Sequence, residues 1–300
     1  MTARQLADRD SPNTVGGDRA GTGAGAPLPP VRPFTVMRAS LRRDWRTARS
    51  YRFPFVLTAV QLFANLASYF FLGRLVGHGV QPGVAAQLHE GYFSFAIVGT
   101  TTLSVVGTTL TTFARRLRTD QTTGTLEALL VSPSPAWLVV PASASYELVV
   151  SGIVSFLTVG IGAAFFGLRF DATTASTGVA VLAVLGSLVL FCSLGIALSG
   201  FVLVFKRGES AISLVTAGFA FLGGVLYPIQ LLPSGLRVLA EALPFTWALE
   251  VLRAALLDRS AEWLRLGALW AVAVVLIPVA VWIFHVALHR ARQTGTLAQY

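Results

Sequence analysis

"STGVAVLAVLGSLVLFCSLGIALSGFVLV" occupies residues 176–204 and contains no charged side chain. As an α-helix, a run of this length reaches further than the ~30 Å hydrocarbon core of a bilayer. The surrounding chain has the same character. Of its 300 residues 54% are hydrophobic and only 12% charged, against roughly 25% charged in an ordinary globular domain. A soluble protein of this size could not cover that much apolar surface. Working outward from 176–204, the pattern predicts six membrane spans, near 54–73, 92–113, 140–166, 178–204, 211–232 and 266–287. The third sits in a stretch, 136–168, longer than one crossing needs, so it starts along the interface or tilts. The fold class expected is all-α, a polytopic membrane protein with six transmembrane helices.

The flanks set the expected orientation. Of the 23 basic residues, all but Lys206 are Arg. Seventeen fall in the segments that lie on the N-terminal side of the membrane and six (Arg74, Arg169, Arg237, Arg253, Arg259, Arg265) on the other. The bias toward the cytosolic side predicts that both termini are cytosolic. The net charge of +9 therefore speaks for membrane orientation, not for nucleic acid as a partner. Residues 1–33 read as a disordered cytosolic tail without the apolar region of a signal peptide. In 34–52, Phe34, Met37, Leu41, Trp45 and Ala48 recur at helical spacing among Arg38, Arg42, Arg43, Arg46 and Arg49. This predicts an amphipathic helix lying at the headgroups. Residues 291–300 form a second cytosolic tail.

Covalent chemistry finds no candidates. Cys192 is the sole cysteine and lies inside an apolar run. The four histidines show no metal-binding spacing. No catalytic or metal site is expected. A nucleotide-binding P-loop needs a lysine beside Ser or Thr, whereas Lys206 lies between Phe205 and Arg207. Any ATP hydrolysis must come from another polypeptide.

Between the second and third spans lies "ARRLRTDQTTGTLEALLVSPSP" (114–135). Gly124 marks a turn. Leu126, Leu129 and Leu130 share one face of a short helix that Pro133 and Pro135 stop. Such a helix can lie on the membrane or dock into a groove on a partner. Within this loop, "GTLEALLVSP" resembles the loop signature of type-2 ABC exporter permeases. A second stretch, "GGVLYPIQLLPSGLRVLAEALPFTWALEVLR" (223–253), is similar to that family's C-terminal signature. Order, layout and motifs together identify residues 34–290 with the transmembrane domain of such an exporter.

The resemblance implies that the 114–130 segment is a coupling helix fitting a cleft on a cytosolic ABC ATPase subunit. Arg115, Arg116, Asp120, Gly124, Thr125, Leu126, Glu127 and Leu130 would make the contact. Where the family often has Glu before Gly-Thr, this chain has Gln121, Thr122 and Thr123 after Asp120. Asp120 and Glu127 thus both stand as the acidic contact. The resemblance further implies a dimer with a second permease copy or paralogue, ATP and Mg on the partner ATPase, and a cell-membrane location in a bacterium. It also implies a re-entrant helix pair within 228–262, marked by Pro228, Pro233, Pro244 and Arg253. That segment is apolar but carries Glu241, Glu250 and Arg253, which argue against another crossing. Its arginines are expected to pair with Glu241, Glu250, Asp258 and Glu262 or to meet lipid phosphates.

Polar residues stripe three spans: Gln61, Asn65 and Ser68; Thr100, Ser104, Thr108 and Thr111; Ser143, Glu147, Ser151 and Ser155. Such stripes serve close packing with interhelical hydrogen bonds, or line a pathway. Since the second and fifth spans flank the pathway in resembling permeases, Thr100, Ser104 and Thr108 are the candidates for substrate contact, with Asn65 of the first-span stripe a further candidate path residue. Glu147 is the main intramembrane acid, expected near the cytosolic interface. The function expected is ATP-driven export of a hydrophobic or amphipathic substrate, such as a drug-like compound, a lipid or a lipid-linked glycan. The alternative is an ion-gradient-driven secondary carrier, which calls for mid-membrane charges and an internal repeat.

Overall fold

The computed structural model describes residues 53–77, 91–122, 136–168, 170, 173–204 and 208–293, together with positions 38, 42 and 45. Residues 1–33 and 294–300 of the expected tails, most of the amphipathic helix 34–52, and Gly124, Thr125, Leu126, Glu127 and Leu130 lie outside the described residues, while 291–293 continue the last helix. Eight α-helices and no strand occur among the described residues. They are α1 (Phe53–Gly77), α2 (Tyr92–Thr122), α3 (Ala136–Phe166), α4 (Thr174–Val204), α5 (Gly208–Leu222), α6 (Ser234–Ala242), α7 (Pro244–Leu257) and α8 (Trp263–Gln293). Five stretches are long and apolar enough to cross a membrane: Val56–Leu75, Tyr92–Arg116, Ala144–Phe166, Thr174–Val202 and Trp263–Arg290. The all-α polytopic class read from the sequence is therefore the observed one.

The fifth expected span is where structure and expectation part. It was expected to run through 211–232, but α5 ends at Leu222. Its 15 residues reach about 22 Å, short of the ~30 Å core. Two glycines end it. The space where Gly223 would carry a Cβ is filled by the Phe245 ring, and Gly224 adopts φ +67°, a conformation that suits glycine. A short 3-10 turn (Ile229–Leu231) and Pro233 then lead into α6. Leu243 separates α6 from α7, whose first residue is Pro244, where proline's missing N–H costs nothing. The expected pair of short helices before the last span is thus present.

α2 is the central post, and its neighbours fix the directions of the rest. Near its start, Phe93 abuts Gly73 of α1, while further along Thr109 and Phe113 abut Gly195 of α4. Consecutive long helices run antiparallel. α4 and α8 run parallel: Gly186 receives Trp270 and Leu269, and Gly200 receives Phe284 and Ala287. Small residues let these backbones approach closely, as membrane helices require in place of a hydrophobic drive. The core between α4, α5 and α7 is a cluster of three phenylalanines. Phe219 and Phe245 stack at 5.3 Å, and Phe191 meets both edge-on. Outward-facing side chains such as Leu214, Phe156 and Val275 are exposed and apolar, as a lipid-facing surface demands.

Candidate functional site

A cleft of about 500 Å³ opens between α1, α2, α3 and α5. From α1 it takes Gln61, Leu62, Asn65, Leu66 and Tyr69, and from α2 Ile97, Thr100, Thr101, Leu103, Ser104 and Gly107. Val154 and Thr158 of α3 and Thr216 of α5 complete the wall. Antiparallel packing at a helical period brings these groups together, since α1 and α2 each turn one polar stripe toward the same space. Asn65 lies midway along the Val56–Leu75 span and Ser104 midway along Tyr92–Arg116. The sequence candidates Asn65, Thr100 and Ser104 therefore meet at mid-span. Thr108 continues the stripe one turn on but does not line the cleft. Thr158 and Thr216 were not among the sequence candidates, although Thr158 stands three residues after Ser155, the last of its stripe, and Thr216 three after Ser213.

Hydrogen bonding divides the lining in two. Thr100, Thr158 and Thr216 donate to carbonyls of their own helices, at 2.7, 2.8 and 2.9 Å. That pattern holds also for Ser68, Thr111 and Ser155, so these hydroxyls are satisfied within their own helices. Gln61, Asn65 and Ser104 differ. They are exposed in the chain, and their side chains make no hydrogen bond among the described residues. A polar group left unpaired against hydrocarbon costs several kcal/mol. This face is therefore not built to meet lipid tails.

Glu147 is held elsewhere. Thr112, on another side of α2, donates to Glu147 Oε2 at 2.7 Å. Glu147 lies close to the Ala144 start of its span, at the same end as Arg115 and Arg116. There α2 does not stop with its apolar run at 113 but continues as helix through Thr122. Arg115 is exposed on that extension and Arg116 half-buried. The backbone at 120 is helical, while the Asp120 side chain lies outside the described residues.

Arg253 of α7 holds several groups at once. Its Nη1 donates to the Gly224 carbonyl at 2.8 Å, and its Nη2 to Val225 at 2.8 Å and Phe95 at 3.2 Å. The guanidinium carbon lies 3.4 Å from the centre of the Phe95 ring. Breaking α5 leaves carbonyls without helical partners, and a planar five-donor fork can serve several at once. The close approach requires Gly99, where a Cβ would stand 2.7 Å from Arg253 Nη2 and clash with the Val225 carbonyl. The expectation of carboxylate pairing holds for two other arginines. Arg265 meets Glu250 at 3.0 Å and Arg237 meets Glu241 at 2.9 Å. Arg253 and Arg265 face a second cavity of about 340 Å³ with Glu250, Asp258 and Glu262. Pro228 lines the same cavity, and Pro233 and Pro244 stand at the starts of α6 and α7.

Long apolar helices, a half-length fifth helix ending in a broken turn, and a polar mid-span cleft define a membrane transport protein. The family model for ABC-2 type transporters matches residues 35–257. The chain belongs to that family: it is the membrane-spanning subunit of an ABC transporter, a transport subunit and not itself an enzyme. No curated protein matches it.

Proposed function

We propose that the chain is the permease of an ATP-driven exporter and that the mid-span cleft is one protomer's share of the transport path. The observation that carries this is the set of unpaired polar groups exposed within membrane-spanning helices: Asn65 and Ser104 at mid-span, with Gln61 one turn away. Such groups belong against water, substrate or a second protomer. A second copy or paralogue closes the cleft, and its substrate is hydrophobic or amphipathic. The Arg116 end of α2 faces the cytosol of a bacterial cell, both termini with it. Cytosolic ABC ATPase subunits dock on the 114–130 segment, through Leu126 and Leu130 with Arg115, Arg116, Asp120 and Glu127 for orientation. ATP and Mg²⁺ are bound by that partner. The exit side is formed by α6 and α7.

The test is reconstitution of the chain with its ATPase in liposomes. Export should require ATP and fall at least about tenfold in Asn65→Leu, with the ATPase still co-purifying. Export driven by an ion gradient without any ATPase would overturn the reading in favour of a secondary carrier. Unchanged export by Asn65→Leu would remove the cleft from the path.

A further inference from the structure

We infer that the mid-span cleft selects uncharged amphipaths bearing hydroxyl, carbonyl or amide groups, and rejects ionised ones. The inference rests on the cleft being the transport path and names what that path accepts. Among the described residues, no Asp, Glu, Lys, Arg or His lines the cleft. Two charges that touch α2 are engaged elsewhere. Glu147 takes the Thr112 hydroxyl, and Arg253 holds the carbonyls behind Gly99.

What the cleft does offer is two-way hydrogen bonding. The amides of Gln61 and Asn65 each provide donors and an acceptor, and Ser104 provides both. Thr100, Thr158 and Thr216 have spent their protons on their own helices, so they present lone pairs and methyl groups. Thr101 Oγ1 is buried without a partner, beside these groups on the same wall. Leu62, Leu66, Ile97, Leu103 and Val154 supply the apolar surface between the polar groups. A body of drug-like size carrying neutral polar substituents matches this lining. A phosphate or diphosphate would find amide and hydroxyl donors but no cation to neutralise its charge. Of the substrates open to an exporter, lipids and glycans linked through phosphate are therefore disfavoured, and neutral glycosides, polyols and ketone-rich ring systems are favoured.

The test uses one ring system in three charge states: hydrocortisone, its 21-phosphate and its 21-trimethylammonium analogue. Binding of each is measured on the full chain in nanodiscs, and ATP-driven transport on the chain with its ATPase in liposomes. An unpaired charge at the bilayer centre predicts at least about a hundredfold preference for the neutral probe. Binding of the neutral probe should weaken in the double variant Gln61→Leu, Asn65→Leu. Equal handling of the ionised probes, still abolished by Asn65→Leu, would sink the neutral class and leave the path standing. Transport of any probe that ignores Asn65→Leu would sink the path itself. Failure of hydrocortisone to bind more tightly than its phosphate also overturns the inference.

Discussion

Replacing Arg253 with Met keeps much of the side chain's length and removes its donors. The carbonyls of Gly224 and Val225, freed by the break, then lose their partner, while the Phe95 carbonyl keeps its place in the α2 ladder. A buried carbonyl left unpaired costs about 1–3 kcal/mol. The lower end applies here, because the 340 Å³ cavity that Arg253 lines can admit water. Two such losses amount to about 2 kcal/mol. Loss of the contact with the Phe95 ring adds to this, while relief from burying a guanidinium subtracts a comparable amount. The expected net destabilisation is about 2 kcal/mol. Arg253→Lys keeps the charge but offers a compact head that cannot reach all these acceptors, so it should lose about 1 kcal/mol. The assay is reversible unfolding in mixed micelles titrated with SDS, followed by tryptophan fluorescence. In the double variant with Gly99→Ala the effects should be less than additive, since both act on one contact. A Met variant within about 1 kcal/mol of the parent would show that the guanidinium does not hold the broken turn.

Three further outcomes follow from the same geometry. Gly99→Ala should destabilise by about 1–3 kcal/mol through overpacking. Gly267→Ala, where a Cβ meets nothing within 4 Å, should instead stabilise by up to about 1 kcal/mol; the same SDS titration reads both. Thr112→Val strips Glu147 of its hydroxyl donor and should cost about 1.5–3 kcal/mol, whereas Glu147→Gln keeps an acceptor for Thr112 and should cost less. Leu126→Asp should leave the chain folded but cut ATP-driven transport at least about tenfold, by breaking the ATPase contact, and co-purification of the ATPase measures that contact directly.

Much of this architecture is legible from the chain alone, for a physical reason: the bilayer demands uninterrupted apolar helices, and the run at 176–204 answers it plainly. The boundaries are less legible. Arg115, Arg116 and Arg118 mark where α2 leaves the apolar layer, but a helix does not have to end where hydrocarbon does. The break after Leu222 is harder still. Residues 223–232 are almost as apolar as a span, and Gly223, Gly224, Val225, Pro228 and Ile229 are buried in protein, so composition cannot separate this turn from a helix. Asn65, Thr100 and Ser104 could be picked out because each sits on a repeating polar face. Thr158 extends the Ser151 and Ser155 stripe and was legible in the same way, whereas Thr216, with Ser213 alone beside it, carries little period. Arg253 was marked as part of a motif and expected to pair with a carboxylate or a lipid phosphate, not with carbonyls. Its partners lie 28, 29 and 158 residues away, and no local pattern announces a carbonyl freed by a break so far along the chain.

The continuity of α2 has a mechanical meaning. One unbroken helix of 31 residues, about 46 Å long, carries the Phe95 carbonyl near one end, the cleft wall at its centre, and Thr122 at the other. No joint lies between them. A tilt of about 5° would swing one tip relative to the other by about 4 Å over that length. A push delivered at Thr122 would thus strain the Arg253 contact and reshape the cleft in a single stroke, with α2 acting as the lever and the packed glycines along it as its bearings.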